Sequence, residues 1–407
     1  MPTQRQLFLQ HLAQTSDFPL GLEIERAEGI YMYDTAGKRY ADLISGIGVS
    51  NVGHRHPKVV AAIKQQVDQY MHLMVYGEYI QSPQVRLARM LVDLMPAGLD
   101  NVYLTNSGTE AVEGALKLAK RYTGRPGLVT FRDTYHGSTH GALSVMGNEH
   151  FKNAFRPLLP DVQILPYNVS AELQRISQRT AAVIVESVQG EAGYQTPCAA
   201  WMQALRARCT EVGALLIVDE IQTGMGRTGK MFGFEHYGII PDMVTLAKGL
   251  GGGLPIGAFI APSHIMGSFK TKPLLGHITT FGGNPVCAAA ACAVIEVLHS
   301  ENVIAQVPSK HDLMLQKLKH PAILRVSGKG LMLAVDLGSF DFNKRVIDRC
   351  LSLGVITDWF LFNDRCLRLA PPLTISHEQL NQSLDLILQA IDHAFRTDEV
   401  HKGLKPG

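Results

Sequence analysis

The 407-residue chain is 46% hydrophobic and 18% charged, and its 38 basic residues nearly balance 36 acidic ones, leaving a formal charge of +2. So apolar a mix argues against disorder, and so small a charge gives no general field to draw in nucleic acid or an anionic membrane. Residues 286–295, the longest apolar stretch, fall short of a membrane span, and residues 1–14 are broken by Gln, Arg and His, so neither insertion nor secretion is expected.

The six cysteines contain no C-x-x-C pair and no disulfide density, which fits reduced thiols in a cytoplasmic protein. In chain order, the first candidate is Gly53-His54-Arg55-His56-Pro57, whose histidines have the spacing of two ligands on one strand. No third ligand or supporting acid is evident, so it is read as a turn before a helix started by Pro57, with no metal expected. An α/β pattern opens with a strand over 102–105 and a helix over 111–122 closed by Gly124. Strand-like runs follow at 127–131, 181–185, 215–218, 243–246 and 258–261, with helical periodicity at 201–212 and 285–299. The pattern predicts a mostly parallel sheet between helices. After about residue 304 the texture becomes a helix, strands near 323–326 and 331–337, a helix near 342–353, strands near Val355 and Leu367, and a closing helix over 377–395. That is a smaller α+β unit.

Three strand ends carry candidate chemistry. The first runs from Thr105 into Asn106-Ser107-Gly108-Thr109-Glu110-Ala111 and a helix, where small residues, two hydroxyls and the helix dipole would hold a phosphate. The same residues also suit an ordinary helix N-cap. The second delivers Asp219-Glu220 to the C-terminal sheet edge, where α/β folds place their ligands. The third delivers Lys248, followed by Gly249, Gly251, Gly252 and Gly253; by itself it reads as a surface lysine. Together they supply a phosphate grip, a partner for a protonated pyridine nitrogen and a Schiff-base amine, the needs of pyridoxal 5'-phosphate.

A longer ordered set of motifs includes Gly29-Ile30-Tyr31, Tyr135-His136-Gly137, Glu186-Ser187-Val188-Gln189-Gly190-Glu191 and Asp219-Glu220-Ile221-Gln222-Thr223-Gly224. It continues through Leu246-Ala247-Lys248-Gly249, Thr280-Phe281-Gly282-Gly283-Asn284-Pro285 and Arg368-Leu369-Ala370-Pro371-Pro372. Over nearly the whole chain this resembles the class III, or subgroup II, pyridoxal-phosphate aminotransferases of fold type I, of the acetylornithine, ornithine and 4-aminobutyrate kind. The resemblance implies a seven-stranded, mostly parallel sheet in a large cofactor-binding domain (56–303), a small α+β domain (304–407) and an N-terminal segment (1–55) packing with it. It implies that Lys248 holds the cofactor covalently, Asp219 faces the pyridine nitrogen and Gln222 bonds the 3-oxygen. Tyr135 and Ile221 would cover the ring faces beside His136, and Ser107, Gly108 and Thr109 would bind the phosphate. Thr280 would reach that phosphate from the neighbouring subunit of a homodimer. Without the resemblance, Tyr135 is a core aromatic and 279–284 a Gly-rich turn.

Arg368 resembles the family's carboxylate-binding arginine and Glu191 the acid that neutralises it, although the residues alone also suit a structural ion pair. Where ornithine, acetylornithine and 4-aminobutyrate aminotransferases carry an arginine after the His-Gly step, this chain has Ser138, which cannot replace a charge-assisted contact. The expected activity is two-stage transfer from an amino-acid or ω-amine donor to a 2-oxo acid, acetylornithine- or ornithine-like with glutamate and 2-oxoglutarate. The alternatives are an amine:pyruvate transaminase, an aminomutase, racemase or decarboxylase of the same fold, and a cofactor-binding protein without turnover.

Overall fold

Short apolar runs cannot satisfy their own backbone groups, and seven of them pair into one sheet. Its order is Asn101–Thr105, Gly257–Ala261, Met243–Leu246, Leu215–Asp219, Thr180–Glu186, Gly127–Phe131 and Val162–Leu165. Every neighbouring pair is parallel except those of Gly257–Ala261, which is antiparallel to both its neighbours. The computed structural model describes residues 2–17 and 19–403; the outermost limits of the expected domains, Met1 and Gly407, lie outside them.

The central strands are buried along their whole length because both faces are covered. Alternate residues go to different cores: Val183, Val185, Leu216, Val218 and Val244 to one, and Ala182, Ile184, Leu215, Ile217 and Met243 to the other. Against the second face lies Gly108–Thr123, which buries Val112, Ala115, Leu116 and Ala119 and ends at Gly124 with φ +67°. Gly114 lets this helix approach closely, since a Cβ there would sit 2.3 Å from the Phe259 ring. The nearly all-apolar helix Pro285–Ser300 packs into the first core. No single helix among the described residues is long and apolar enough to cross a membrane, though the bent pair Pro285–Ser300 and Ile304–Lys317 together pass that test of length and composition.

Two further sheets complete the fold. Ile24–Glu28, Tyr31–Asp34 and Arg39–Asp42 form an antiparallel meander whose last strand pairs in parallel with Val355–Ile356. Arg325–Gly328, Leu333–Asp336, Cys366–Leu369 and Asp358–Trp359 form the other. The first meander, the edge strand Val162–Leu165 and the two-residue strand Asp358–Trp359 go beyond the elements expected individually from sequence. His54 and His56 go to separate acids, Asp42 at 2.9 Å and Glu301 at 3.3 Å, and Pro57 does start the helix Pro57–Gln69.

Candidate active site

The C-terminal ends of the parallel strands open on a cavity of about 520 Å³. Ser107, Gly108, Thr109, Tyr135, His136, Ser138, Glu191, Asp219, Ile221, Gln222 and Lys248 all line it. Arg368 stands behind Glu191, bonded to it. Thr280 is exposed outside the cavity, next to Thr279, whose hydroxyl accepts from Asn106 Nδ2 at 2.9 Å.

The cradle follows from helix geometry. Ser107 caps Gly108–Thr123 by accepting from Glu110 N–H at 3.3 Å, while the N–H groups of Gly108 and Thr109 have no acceptor among the described residues. Thr109 Oγ1 lies 2.8 Å from Thr139 Oγ1, so the loop after Tyr135 is drawn against the helix start. Only glycine permits that approach: at Gly137 φ is +129°, and a Cβ would fall 2.3 Å from Thr109 Oγ1. The free N–H groups and the helix dipole fit a phosphate.

Asp219, buried at the end of Leu215–Asp219, accepts from Ile221 N–H at 3.0 Å and bonds His136 Nδ1 at 2.7 Å. Its carboxyl is thereby fixed at the cavity wall. Gln222 Oε1 and His136 Nε2 are buried with no partner among the described residues. Lys248 follows Met243–Leu246 and takes a left-handed backbone, φ +45°, which costs strain for a non-glycine residue. Burial lowers the affinity of its amine for a proton, against the opposing field of Glu191. An amine held toward its neutral form is a nucleophile. The cradle, the fixed acid and the desolvated amine together fit pyridoxal 5'-phosphate.

Glu191 and Arg368 are joined by two parallel bonds, Nη1 to Oε1 at 3.0 Å and Nη2 to Oε2 at 2.6 Å, both side chains almost fully buried. Although burial pushes the other way, the guanidinium holds the Glu191 carboxyl below its usual range, and the carboxylate in turn raises the Arg368 value. Ser138 Oγ lies 3.0 Å from the Tyr135 hydroxyl, so the ring and the neutral side chain beside it are linked.

Two acids went unassigned in the sequence. Glu186 lines the cavity and accepts from Tyr135 N–H at 3.1 Å and Gly190 N–H at 2.8 Å. Burial raises its carboxyl to about 7, against the field of His136. Glu220 lies behind Asp219 and accepts from Ser187, Thr223, Gly233 N–H and Phe234 N–H. Both sit in the quoted motifs, but nothing in their spacing reveals these partners.

The profile of the family described as aminotransferase class-III matches residues 12–391. The chain is 40% identical over 384 residues to the acetylornithine aminotransferase of Methanopyrus kandleri, covering 94% of this chain and 96% of that protein. The ornithine aminotransferase of Toxoplasma gondii, in a structure with partial occupancy of PLP at its active site, superposes with TM-score 0.89 at 27% identity over 96% of this chain and 94% of that one. An (S)-enantioselective omega-transaminase from Thermomicrobium roseum superposes with TM-score 0.89 at 28% identity over 95% and 97% of the respective chains.

Proposed function

This chain belongs to the class-III aminotransferases, and we propose that it transfers the amino group of an acetylornithine- or ornithine-type donor to 2-oxoglutarate, using Lys248, Asp219 and the Glu191–Arg368 pair. Aminotransferases of this class depend on pyridoxal 5'-phosphate. When bound, the cofactor supplies a carbonyl carbon that exchanges amines and a protonated ring that accepts electrons from a breaking C–H bond. The observation that carries the site assignment is the meeting of Lys248, Asp219 and the helix-start cradle in one cavity.

Ser107, Gly108 and Thr109 would hold the phosphate, Gln222 the 3-oxygen, and Tyr135 and Ile221 the two ring faces. Asp219, oriented by His136, would hold the positive charge on the ring nitrogen. Lys248 Nζ would be the covalent attachment point; once displaced, it would take the proton from the donor carbon and deliver it to the cofactor's carbonyl carbon within the same stage, and the second stage would run that transfer in reverse. The two stages share one cavity, so the product leaves before the second substrate binds.

Arg368 offers a planar fork to a substrate carboxylate whenever Glu191 leaves it, and Glu191 neutralises the fork when an amine-bearing end occupies the same space. The buried bidentate pair supports this exchange. We also propose a homodimer in the cytoplasm, with Thr280 reaching the partner's phosphate, and division into the units 1–55, 56–303 and 304–407. The pairing of Arg39–Asp42 with Val355–Ile356 supports joining the first unit to the last.

A second reading, an amine:pyruvate transaminase, is favoured by Ser138, which puts a neutral hydroxyl where a second substrate acid would need a cation. A donor and acceptor panel on the purified enzyme separates the two, following the cofactor's absorbance through each half-reaction. Acetylornithine or ornithine with 2-oxoglutarate should exchange fastest. Faster exchange with alanine and pyruvate would overturn the first reading in favour of the second.

A further inference from the structure

Three residues beyond Glu191 the chain turns through Gly193 (φ +79°) and Tyr194 (φ +50°). A bulky aromatic residue in the left-handed region is strained unless its surroundings fix it there. Tyr194 is fully enclosed, its ring edge-on to Phe360 with centroids 4.7 Å apart at 85°. The same Phe360 ring carries the Arg368 guanidinium on its face, with Cζ 4.4 Å from the centroid, and the Tyr194 centroid lies 6.0 Å from that carbon. The guanidinium of the proposed substrate anchor therefore lies against the Phe360 face, with the Tyr194 ring next to Phe360 on the same side.

Two buried polar atoms in this cluster have no hydrogen-bond partner among the described residues: the Tyr194 hydroxyl and Arg368 Nε. The two side chains are close enough to interact electrostatically. The two Nη atoms, in contrast, are engaged by Glu191 and by the carbonyl of Trp359 at 3.1 Å. The strap leading to Tyr194 is stitched down independently of the Glu191 side chain. Phe362 N–H donates to Glu191 O at 3.1 Å, Asn363 Nδ2 to Ala192 O at 3.4 Å, and Ser327 Oγ to Gly193 O at 2.9 Å. None of these three bonds uses the Glu191 carboxylate, so they would hold the backbone that carries Tyr194 if that carboxylate moved.

We propose that Tyr194 is a positioning residue for substrate carboxylates: with Phe360 it cradles Arg368, and its hydroxyl accepts from Nε while Glu191 yields the fork to the substrate. The proposal rests on the assignment of Arg368 as the carboxylate anchor. An arginine that loses two charge-assisted bonds at once is free to follow the departing acid, and a bidentate grip then has to be rebuilt from a mobile side chain. The ring faces keep the guanidinium plane fixed through cation–π attraction. A phenol accepting from Nε adds a third point of support and, being neutral, does not compete with the incoming carboxylate for the fork. A carboxylate in its place would compete.

The test uses the cofactor-loaded enzyme and glutarate, a dicarboxylate that cannot be aminated. Titration calorimetry measures glutarate binding, and steady-state kinetics give KM and kcat for 2-oxoglutarate. Tyr194→Phe keeps the ring and removes only the hydroxyl; glutarate should bind roughly tenfold more weakly and KM rise in step, with kcat changing less than about twofold. Phe360→Leu, read by the same titration, should weaken glutarate in the same direction and carries the test if Tyr194→Phe does not fold. Arg368→Lys should weaken glutarate more than either. Wild-type glutarate affinity in Tyr194→Phe, or a fall in kcat with KM unmoved, would remove Tyr194 from substrate positioning while leaving the Arg368 assignment intact if Arg368→Lys still weakens binding. Wild-type affinity in Arg368→Lys would remove both.

Discussion

Lys248 combines a left-handed backbone with a desolvated amine, and neither is expected of a surface lysine. Borohydride reduction of the cofactor-loaded protein followed by peptide mapping should label Lys248, and label on a different lysine would end its assignment. Lys248→Ala should still retain cofactor through the cradle but lose turnover by several orders of magnitude, for want of both the attachment and the proton carrier. Glu186 gives a prediction about pH. Burial raises its folded-state value to about 7, above the ordinary 4.5, so between those values the folded chain binds more protons than the unfolded one. Its contribution to stability is therefore fully present below pH 4.5 and is lost as pH rises through 7. In Glu186→Gln apoprotein, the fall in unfolding midpoint across that window should shrink, by an amount corresponding to on the order of 3 kcal/mol at most. An unaltered pH profile of the midpoint would show that the carboxyl stays ionised behind Tyr135 and Gly190.

The contact between the loop of Gly137 and the start of helix Gly108–Thr123 joins two elements into one cradle. An alanine at Gly137 would have to adopt φ +129° with its Cβ 2.3 Å from Thr109 Oγ1, so Gly137→Ala should push the loop off the helix start. Cofactor affinity, measured by equilibrium dialysis, should fall by about ten- to a hundredfold, the loss of one or two phosphate contacts. Retention of wild-type affinity would show that the cradle does not need this closeness. Such contacts also mark what the sequence could convey. Asp219 and Lys248 are legible only in combination: each follows an apolar run to the sheet's C-terminal edge, where α/β folds place ligands, and beside the cradle of Ser107, Gly108 and Thr109 they acquire a meaning that neither has alone. The strands Ile24–Glu28 and Val162–Leu165 are not, because the first is mostly exposed and the second is a four-residue edge strand, so neither carries a clear burial period. Arg227 is less legible still. It is buried with its guanidinium donating to Leu331 O, Pro371 O and Asn51 Oδ1, locking three distant segments around the strand end that carries Arg368. Its partners lie 104 to 176 residues away in the chain, where no local pattern reaches.

At the scale of the whole molecule, one surface departs from what a monomer presents. Ile80 is 96% exposed and Phe281 55%, with Met71, Leu73, Met74, Tyr79, Leu274, Leu275 and Ile278 also outward. These residues come from two loops that are tied together: the His72 and Phe281 rings lie 4.9 Å apart, and Asn284 Nδ2 donates to Met71 O at 3.1 Å. Exposed apolar side chains gathered on linked loops suit an interaction site. Its rim reaches the cradle through the bond from Asn106 Nδ2 to Thr279 Oγ1, one residue before the exposed Thr280. A second copy seated on this face would cover the apolar loops and bring its own Thr280 toward this cavity, which is the arrangement proposed for the dimer. Sedimentation should accordingly give the mass of two chains. Burying an unpaired charge in the face costs several kcal/mol, so Ile80→Asp combined with Phe281→Asp should shift the protein to monomer and lower cofactor retention together. Thr280→Ala should behave differently, keeping the dimer while weakening cofactor binding by roughly three- to tenfold, the value of one hydrogen bond to an anion. A monomer with wild-type activity and cofactor affinity would show that each cavity is complete by itself and that the apolar loops serve another contact.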